Sequence, residues 1–310
     1  MKVGVAGAGA VGCLFGGILA NADYDVTFLA RGKHLAAMQK KGLTLEGPAR
    51  SFEKIDKQFT DDISDLADSD IVFFCFKSND TKKMGEELKR HLKSETVIIT
   101  LQNGVDNEEV LCDIFGRERV ISAATYVQSK IQEPGHVRQE GRIMLVIGGL
   151  HHSLDDTCQT VVEMFKKADL DIKQTNKIME RKWKKLLWNV TFNPLSALMS
   201  VRVGEILEDS NLRETASHVC EESIDVAKKL NIELDKKQTV KKVFHNATYA
   251  EKHRTSMLQD RLNEKEMEVE SMCGYIIKKG KEFNVPTPTL ESLYHLLTFV
   301  NKQISESKMN

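Results

Sequence analysis

The sequence is short of the residues that staple, interrupt or anchor a chain. Five prolines in 310 residues, with no biased tract, exclude a long disordered or repeat-built protein. The cysteines, Cys13, Cys75, Cys112, Cys158, Cys220 and Cys273, are scattered without a C-x-x-C pair. That spacing argues against a disulfide framework or a zinc cluster and for thiols in a reducing compartment. No run of about 18 apolar residues is found, so no membrane helix is expected. The start, Met1-Lys2-Val3-Gly4-Val5-Ala6, lacks the basic segment, apolar run and cleavage site of a secretion signal. Charge of one sign is also missing, since Lys+Arg 44 against Asp+Glu 45 leaves a net charge of -1. Such a balance gives no overall pull toward nucleic acid or an anionic membrane. His151-His152 has no companion at metal-ligand spacing and reads as a surface turn, so no metal is expected. No glycine-x-serine-x-glycine elbow supports a hydrolase. These absences predict a cytoplasmic protein with neither nucleic acid nor membrane as partner.

What is present is an alternation. Strands are predicted over 3–6, 25–30, 70–76 and 96–100, with helices around Leu14 to Leu19 and over 80–92. The run 70–76 is too continuously apolar for a one-faced strand and should lie centrally in a parallel sheet. Strands over 120–124 and 142–147 follow, with Pro134-Gly135 as turn material, then a helix over 155–167 and a strand at 171–172. After Thr175 the pattern is helical only, over 178–199, 212–230, 237–249, 258–283 and beyond Pro286-Thr287-Pro288. The fold class is therefore α/β: a Rossmann-type doubly wound sheet domain over 1–175, then an all-helical domain over 176–310.

Gly7-Ala8-Gly9-Ala10-Val11-Gly12 fits G-x-G-x-x-G between a strand and a helix, the context that motif requires. Gly7 permits the tight turn, Gly9 lets backbone approach a pyrophosphate, and Gly12 lets helix pack on strand. Free N–H groups at the helix start would face the anion. An NAD site usually places Asp or Glu at the end of the second strand. Here that strand ends Leu29-Ala30-Arg31-Gly32-Lys33-His34, and a guanidinium can fork onto a 2′-phosphate, so NADP (NADPH) is the expected cofactor. Lys77 and Gln102-Asn103-Gly104 follow two further strands, where ligands of open α/β sheets gather. Each could equally be a cap or a turn.

In the helical half, Lys185, Asn189 and Asn193 are spaced by four and form one ridge beside Trp183, Leu186, Leu187 and Val190. A polar ridge next to so much apolar surface needs partners, which a polar ligand can supply. With Lys182 and Lys184 alongside, a solvated helix face is the alternative. Pro194 should kink this helix and free a carbonyl.

These features, with Ser256-Met257-Leu258-Gln259-Asp260 and Val285-Pro286-Thr287-Pro288-Thr289, occur in an order that resembles the ketopantoate reductase (2-dehydropantoate 2-reductase) family over nearly the whole chain. The resemblance implies NADPH-dependent reduction of 2-dehydropantoate to (R)-pantoate in pantothenate and coenzyme A biosynthesis. It implies Lys185 as general acid and Glu268, twelve residues after Ser256, as the substrate-holding carboxylate. Asn193 and Ser256 become donors to the substrate, Asn103 and Asn189 frame nicotinamide and substrate, and chemistry falls in the cleft between the halves. Gly7 to Gly12, Arg31, Lys77 and Asn103 become the cofactor set. Burial would lower the lysine pKa and a carboxylate would raise it, so the sequence leaves the direction open.

The chain also departs from the family. Glu264-Lys265-Glu266-Met267-Glu268 replaces a common glycine-arginine-x-threonine stretch, so Glu266 and Glu270 compete with Glu268, although spacing to Gly274 favours Glu268. His253 and Val203 stand where asparagines are common, and losing an amide that grips a hydroxyl can change substrate choice. The alternatives are a reductase of another 2-oxo acid or imine, and a non-catalytic NADPH-sensing regulator. The set Lys185, Ser256 and Glu268 argues against the regulator. The expected partner is a small-molecule 2-oxo acid. Oligomeric state is not legible in the sequence, with a homodimer as the assembly to test.

Overall fold

The structure is a computed structural model and describes residues 1–307. The chain divides into two compact units, one over Met1–Ile178 and one from Met179 on.

The first unit is built on one 10-stranded sheet. In chain order it comprises β1 (Lys2–Ala6), α1 (Ala10–Asn21), β2 (Asp25–Leu29), α2 (Gly32–Lys41), β3 (Leu43–Glu46), β4 (Ser51–Ile55), β5 (Gln58–Thr60), β6 (Ile71–Phe74), α3 (Thr81–His91), β7 (Val97–Thr100), α4 (Asn107–Phe115), β8 (Val120–Glu133), β9 (His136–Gly149), α5 (Asp155–Lys167) and β10 (Lys173–Gln174). The strands lie in the order β4-β3-β9-β8-β7-β6-β1-β2-β5, with β10 beside β9. From β8 to β5 the stretch is parallel throughout. That stretch has the strand order of a dinucleotide-binding fold, and its growth reverses between β1 and β6, where a crevice opens at the carboxyl ends. All of Ile71, Val72, Phe73 and Phe74 are buried, because β1 and β7 flank β6 and side chains cover both faces. The helix α1 lies very close on the sheet: a β-carbon on Gly16 would sit 2.6 Å from the Val5 side chain.

Beyond β8 the sheet is mixed: β9 is antiparallel to β8 and β4 to β3, while β3 and β10 pair with β9 in parallel. Two 14-residue strands, β8 and β9, form a long hairpin, and β3 pairs on its far side. The sequence reading found only the hairpin ends nearest the parallel core, and it missed β3, β4 and β5. Those strands are short and carry polar residues on one side, so no apolar run marks them. The strand expected at 171–172 is displaced, since Ile172 is in the core and it is Lys173–Gln174 that pairs with β9.

The second unit is helical, with no strand among its described residues: α6 (Ile178–Met199), α7 (Val203–Glu208), α8 (Ser210–Lys229), α9 (Lys236–Thr248), α10 (Ser256–Leu262), α11 (Tyr275–Glu282) and α12 (Pro288–Ser307). Helix α6 runs through Pro194, which has no N–H for the Val190 carbonyl. The helix expected over 258–283 is broken. Glu264 takes a left-handed φ of 53°, its N–H donates to the Arg261 carbonyl, and the Lys265 N–H donates to the Asp260 carbonyl. This pair of bonds closes a helix C-terminus of Schellman type. Continuing the helix would also set Glu264 over Glu268 and Glu266 over Glu270, like charges four residues apart. The chain restarts in a π-turn at Glu270–Gly274. Arg261 donates to the carbonyls of Ala197 and Leu198, which ties α10 to the end of α6. No helix among the described residues is long and apolar enough to cross a membrane.

Candidate functional site

Each unit gathers its own group of the residues singled out by sequence. In the first, every one lies at the carboxyl edge of the parallel strands. The glycine loop follows β1, Arg31 follows β2, Lys77 follows β6 and Asn103 follows β7, and these four strands are consecutive neighbours. Gly7 takes a φ of +94° that an L side chain rarely adopts. Gly9 is the N-cap of α1, without a side-chain cap and without an acidic residue in the first turn. A β-carbon on Gly9 would meet nothing within 4 Å. The start of α1 thus presents unblocked amides and a positive dipole end to open space, which suits a diphosphate. Arg31 and Lys33 are exposed at the end of β2, and no carboxylate stands between Leu29 and His34. The residues fit a dinucleotide with a phosphorylated ribose.

Two loops of this edge are fastened to each other from below. The Gln102 Nε2 amide donates to the Phe76 carbonyl at 2.9 Å and to Thr81 Oγ1 at 2.8 Å. Thr81 in turn donates to Asn107 Oδ1 at 2.6 Å. The Asn107 amide donates to the Asn103 carbonyl at 2.7 Å and to Ser78 Oγ at 3.2 Å. Thr81, Gln102 and Asn107 are buried, so these bonds are made where water does not compete. The network fixes the backbone that carries Lys77 and Asn103. On the other side of the crevice, the Cys13 thiol donates to the Ala8 carbonyl at 3.2 Å. Its sulfur lies 3.4 Å from His34 Nε2, while His34 Nδ1 accepts from the Gly135 N–H. Burial lowers the His34 pKa, which keeps the ring neutral beneath the glycine loop.

In the second unit, Lys185, Asn189 and Asn193 share one face of α6. Asn193 is 1 % exposed; its amide donates to Ser256 Oγ at 3.5 Å and contacts Met272 Sδ at 3.5 Å. Its Oδ1 is buried with no hydrogen-bond partner among the described residues. Ser256 opens α10, where the Thr255 hydroxyl caps the helix by accepting the Leu258 N–H. Lys185 and Asn189 are half-buried. Burial pushes the Lys185 ammonium from the ordinary 10.5 down to about 7; the charge of Lys182 acts in the same direction and that of Glu268 opposes both. Glu268 is buried, 9 % exposed, whereas Glu266 and Glu270 are exposed, and Glu270 accepts a hydrogen bond from Tyr294.

The two departures from the family pattern differ in kind. Val203 is fully buried and its N–H donates to the His253 carbonyl, so its side chain belongs to the core. The His253 ring packs against Trp188 with centroids 5.7 Å apart, and burial lowers its pKa. Sequence reasoning gave no role to Asn107, Thr81 or His34; Thr81 and Asn107 open α3 and α4, and His34 lies in the first turn of α2. Lys182, which the alternative reading placed on a solvated helix face, is 3 % exposed. His151 and His152 are exposed, with His151 Nδ1 turned onto Ser153.

Comparison with known proteins finds the family described as "Ketopantoate reductase PanE/ApbA" over residues 3–151 and "Ketopantoate reductase PanE/ApbA C terminal" over 177–301. The 2-dehydropantoate 2-reductase of Archaeoglobus fulgidus is 33% identical over 296 residues, covering 96% of each chain. That of Pyrococcus horikoshii is 32% identical and covers 93% of each. Among solved structures, a PanE/ApbA family ketopantoate reductase from Ralstonia eutropha superposes with a TM-score of 0.91 at 29% identity, covering 98% of this chain and 100% of that one. A D-mandelate dehydrogenase solved with NADH and anilino(oxo)acetate shares the fold, with a TM-score of 0.90 at 22% identity over 98% of this chain and 100% of that one.

Proposed function

The chain belongs to the ketopantoate reductase family, an oxidoreductase family, and from that premise we propose that it reduces 2-dehydropantoate to (R)-pantoate with NADPH, a step toward pantothenate and coenzyme A. The observation that carries this reading is Lys185, whose ammonium burial has brought to about 7 beside the opposing charge of Glu268. The nicotinamide, when bound, supplies the hydride. Its delivery to a ketone carbon leaves charge on the oxygen, and Lys185 polarises that oxygen and then gives it a proton. An acid whose pKa lies near the working pH combines the right protonation state with a good driving force. Glu268 holds a substrate hydroxyl, and Asn193, Ser256 and Asn189 hold the carboxylate and the remaining polar groups. The buried, unpartnered Oδ1 of Asn193 supports a polar ligand there.

On the cofactor side, the amides at the start of α1 take the pyrophosphate and Arg31 takes the 2′-phosphate. Lys77 and Asn103, held by the network below them, frame the nicotinamide. Four of the six thiols are buried and none is paired, which suits the reducing cytoplasm we propose as its compartment. The test is NADPH oxidation on adding ketopantoate, repeated with Lys185→Ala. Turnover by the wild type and a loss of roughly 10²–10⁴-fold in the variant are expected. Binding of NADPH with no oxidation by any 2-oxo acid would remove this reading and favour a regulator.

A second reading rests on one contact. Trp188 lies on the same face of α6 as Lys185, and the His253 ring covers it. An aromatic wall in place of an amide suits a bulkier, more apolar 2-oxo acid. A panel of 2-oxo acids decides between the two, and a kcat/KM that rises with the size of the substituent favours the second.

A further inference from the structure

The turn that carries Glu268 is held by a residue from the far end of the chain. Asn301, on α12, accepts the Met267 N–H on Oδ1 at 3.0 Å and donates from Nδ2 to the Met267 carbonyl at 2.9 Å. One side chain thus engages both polar groups of one backbone residue, as a neighbouring strand would. The Met267 side chain is buried, which fixes the same residue from its other side. The Val269 N–H also donates to the Met267 carbonyl, at 2.9 Å. Glu268 is therefore the middle residue of a three-residue turn, with Met267 as its fixed base. The Ser271 hydroxyl reaches the Glu268 carbonyl at 3.4 Å from within the π-turn that follows. Before this turn α10 has ended, so no helical ladder orients the segment.

We propose that Asn301 is a positioning residue, which sets the direction of the Glu268 carboxylate toward Lys185 by clamping the base of its turn. The proposal rests on the reading of Lys185 as the general acid and of Glu268 as the carboxylate that holds a substrate hydroxyl near it. Without the clamp, Met267 loses a donor and an acceptor, and the turn can rotate about its two flanking peptides. A buried carboxylate at the tip then moves, and a displacement of about 1 Å at a reacting group can cost a factor of about 10². The electrostatic consequence has a sign. Glu268 raises the Lys185 pKa against burial, so moving the carboxylate away lowers that pKa further.

The test is a double-mutant cycle between Asn301→Leu and Glu268→Gln in the full chain, read two ways. Steady-state reduction of ketopantoate gives kcat and KM against pH, and NMR of the lysine side-chain amines gives the Lys185 pKa without substrate. Asn301→Leu should lower kcat/KM roughly tenfold to a hundredfold. It should also shift the alkaline limb and the Lys185 pKa to lower pH, as Glu268→Gln does, and add nothing in the Glu268→Gln background. Losses that add in the double variant, or an Asn301→Leu pKa equal to wild type, would overturn the proposal. If the leucine variant does not fold, Asn301→Ala removes both bonds to Met267 without adding bulk or charge and should give the same downward shift; no shift overturns it. A Glu268→Gln variant with unchanged kinetics and unchanged Lys185 pKa would instead remove the pair itself, and the proposal with it.

Discussion

Gly12 lies so close to Gly7 that a β-carbon at position 12 would be 2.6 Å from the Gly7 carbonyl oxygen and 2.9 Å from the Val5 side chain. Gly9, two residues after Gly7, would place its β-carbon in open space. The loop therefore uses its glycines for different ends. Gly12→Ala should strain the junction of β1 and α1 and lower the melting temperature, with a cost of about 1–3 kcal/mol. Gly9→Ala should leave the melting temperature of the free protein unchanged but raise the KM for NADPH. Thermal unfolding of both variants with and without NADPH checks this; a Gly9→Ala protein with wild-type NADPH affinity would mean that the diphosphate lies elsewhere.

Arg31 stands at the end of β2 as the exposed N-cap of α2, with an extended φ of -147°. A charge-assisted hydrogen bond to a phosphate is worth about 1.5–3 kcal/mol, or roughly 10–100-fold. Arg31→Asp should raise the KM for NADPH by at least that factor and leave the KM for NADH nearly unchanged. Equal effects on both cofactors in parallel kinetics would remove the assignment of the 2′-phosphate to this residue.

Lys185 should impose a pH profile. Reduction needs the ammonium, so kcat should fall as pH rises through about 7, and the reverse oxidation should rise over the same window. Stability follows from the same shift. Unfolded lysine holds its proton to about 10.4, so between that value and about 7 the unfolded chain binds more protons than the native one. Native stability should therefore increase with pH across this window, and Lys185→Met should flatten that part of the curve. A melting-temperature profile of the variant parallel to wild type would show that Lys185 is not held in its amine form.

Asn107 serves two loops from a buried position, bonded to the Asn103 carbonyl, Ser78 and Thr81. Asn107→Leu fills the same volume but leaves these partners unsatisfied, at a cost of about 1–3 kcal/mol. The loosened loops should raise the KM for NADPH, since Lys77 and Asn103 ride on them, while kcat at saturating cofactor changes less. Calorimetry and initial rates separate the two effects. A normal KM in a destabilised protein would restrict the network to stability.

The parallel strands β1, β2, β6 and β7 were legible because each is marked twice, by an apolar run that must be buried and by the glycine or polar residue that stops it. Glycine spacing, the cationic end of β2 and the four-residue spacing on α6 are all short-range patterns, and a chain of known chirality fixes what they mean. The hairpin of β8 and β9 and the short strands β3 to β5 were less legible, since their polar faces break the apolar signal that a buried strand leaves.

What the sequence alone determined was local: which segments can be strand or helix, where backbone must come close to a phosphate, and which cations have no competing carboxylate nearby. What only the tertiary structure decided was which carboxylate is buried. Glu266, Glu268 and Glu270 are chemically alike and two residues apart, but only Glu268 is buried, at the tip of a turn clamped by Asn301 from α12. Burial and long-range hydrogen bonds depend on residues distant in the chain, so no window around these glutamates contains the difference. The same holds for Lys185, whose pKa is lowered by burial and by Lys182 one turn away on α6, against the opposing charge of Glu268, which only folding brings near.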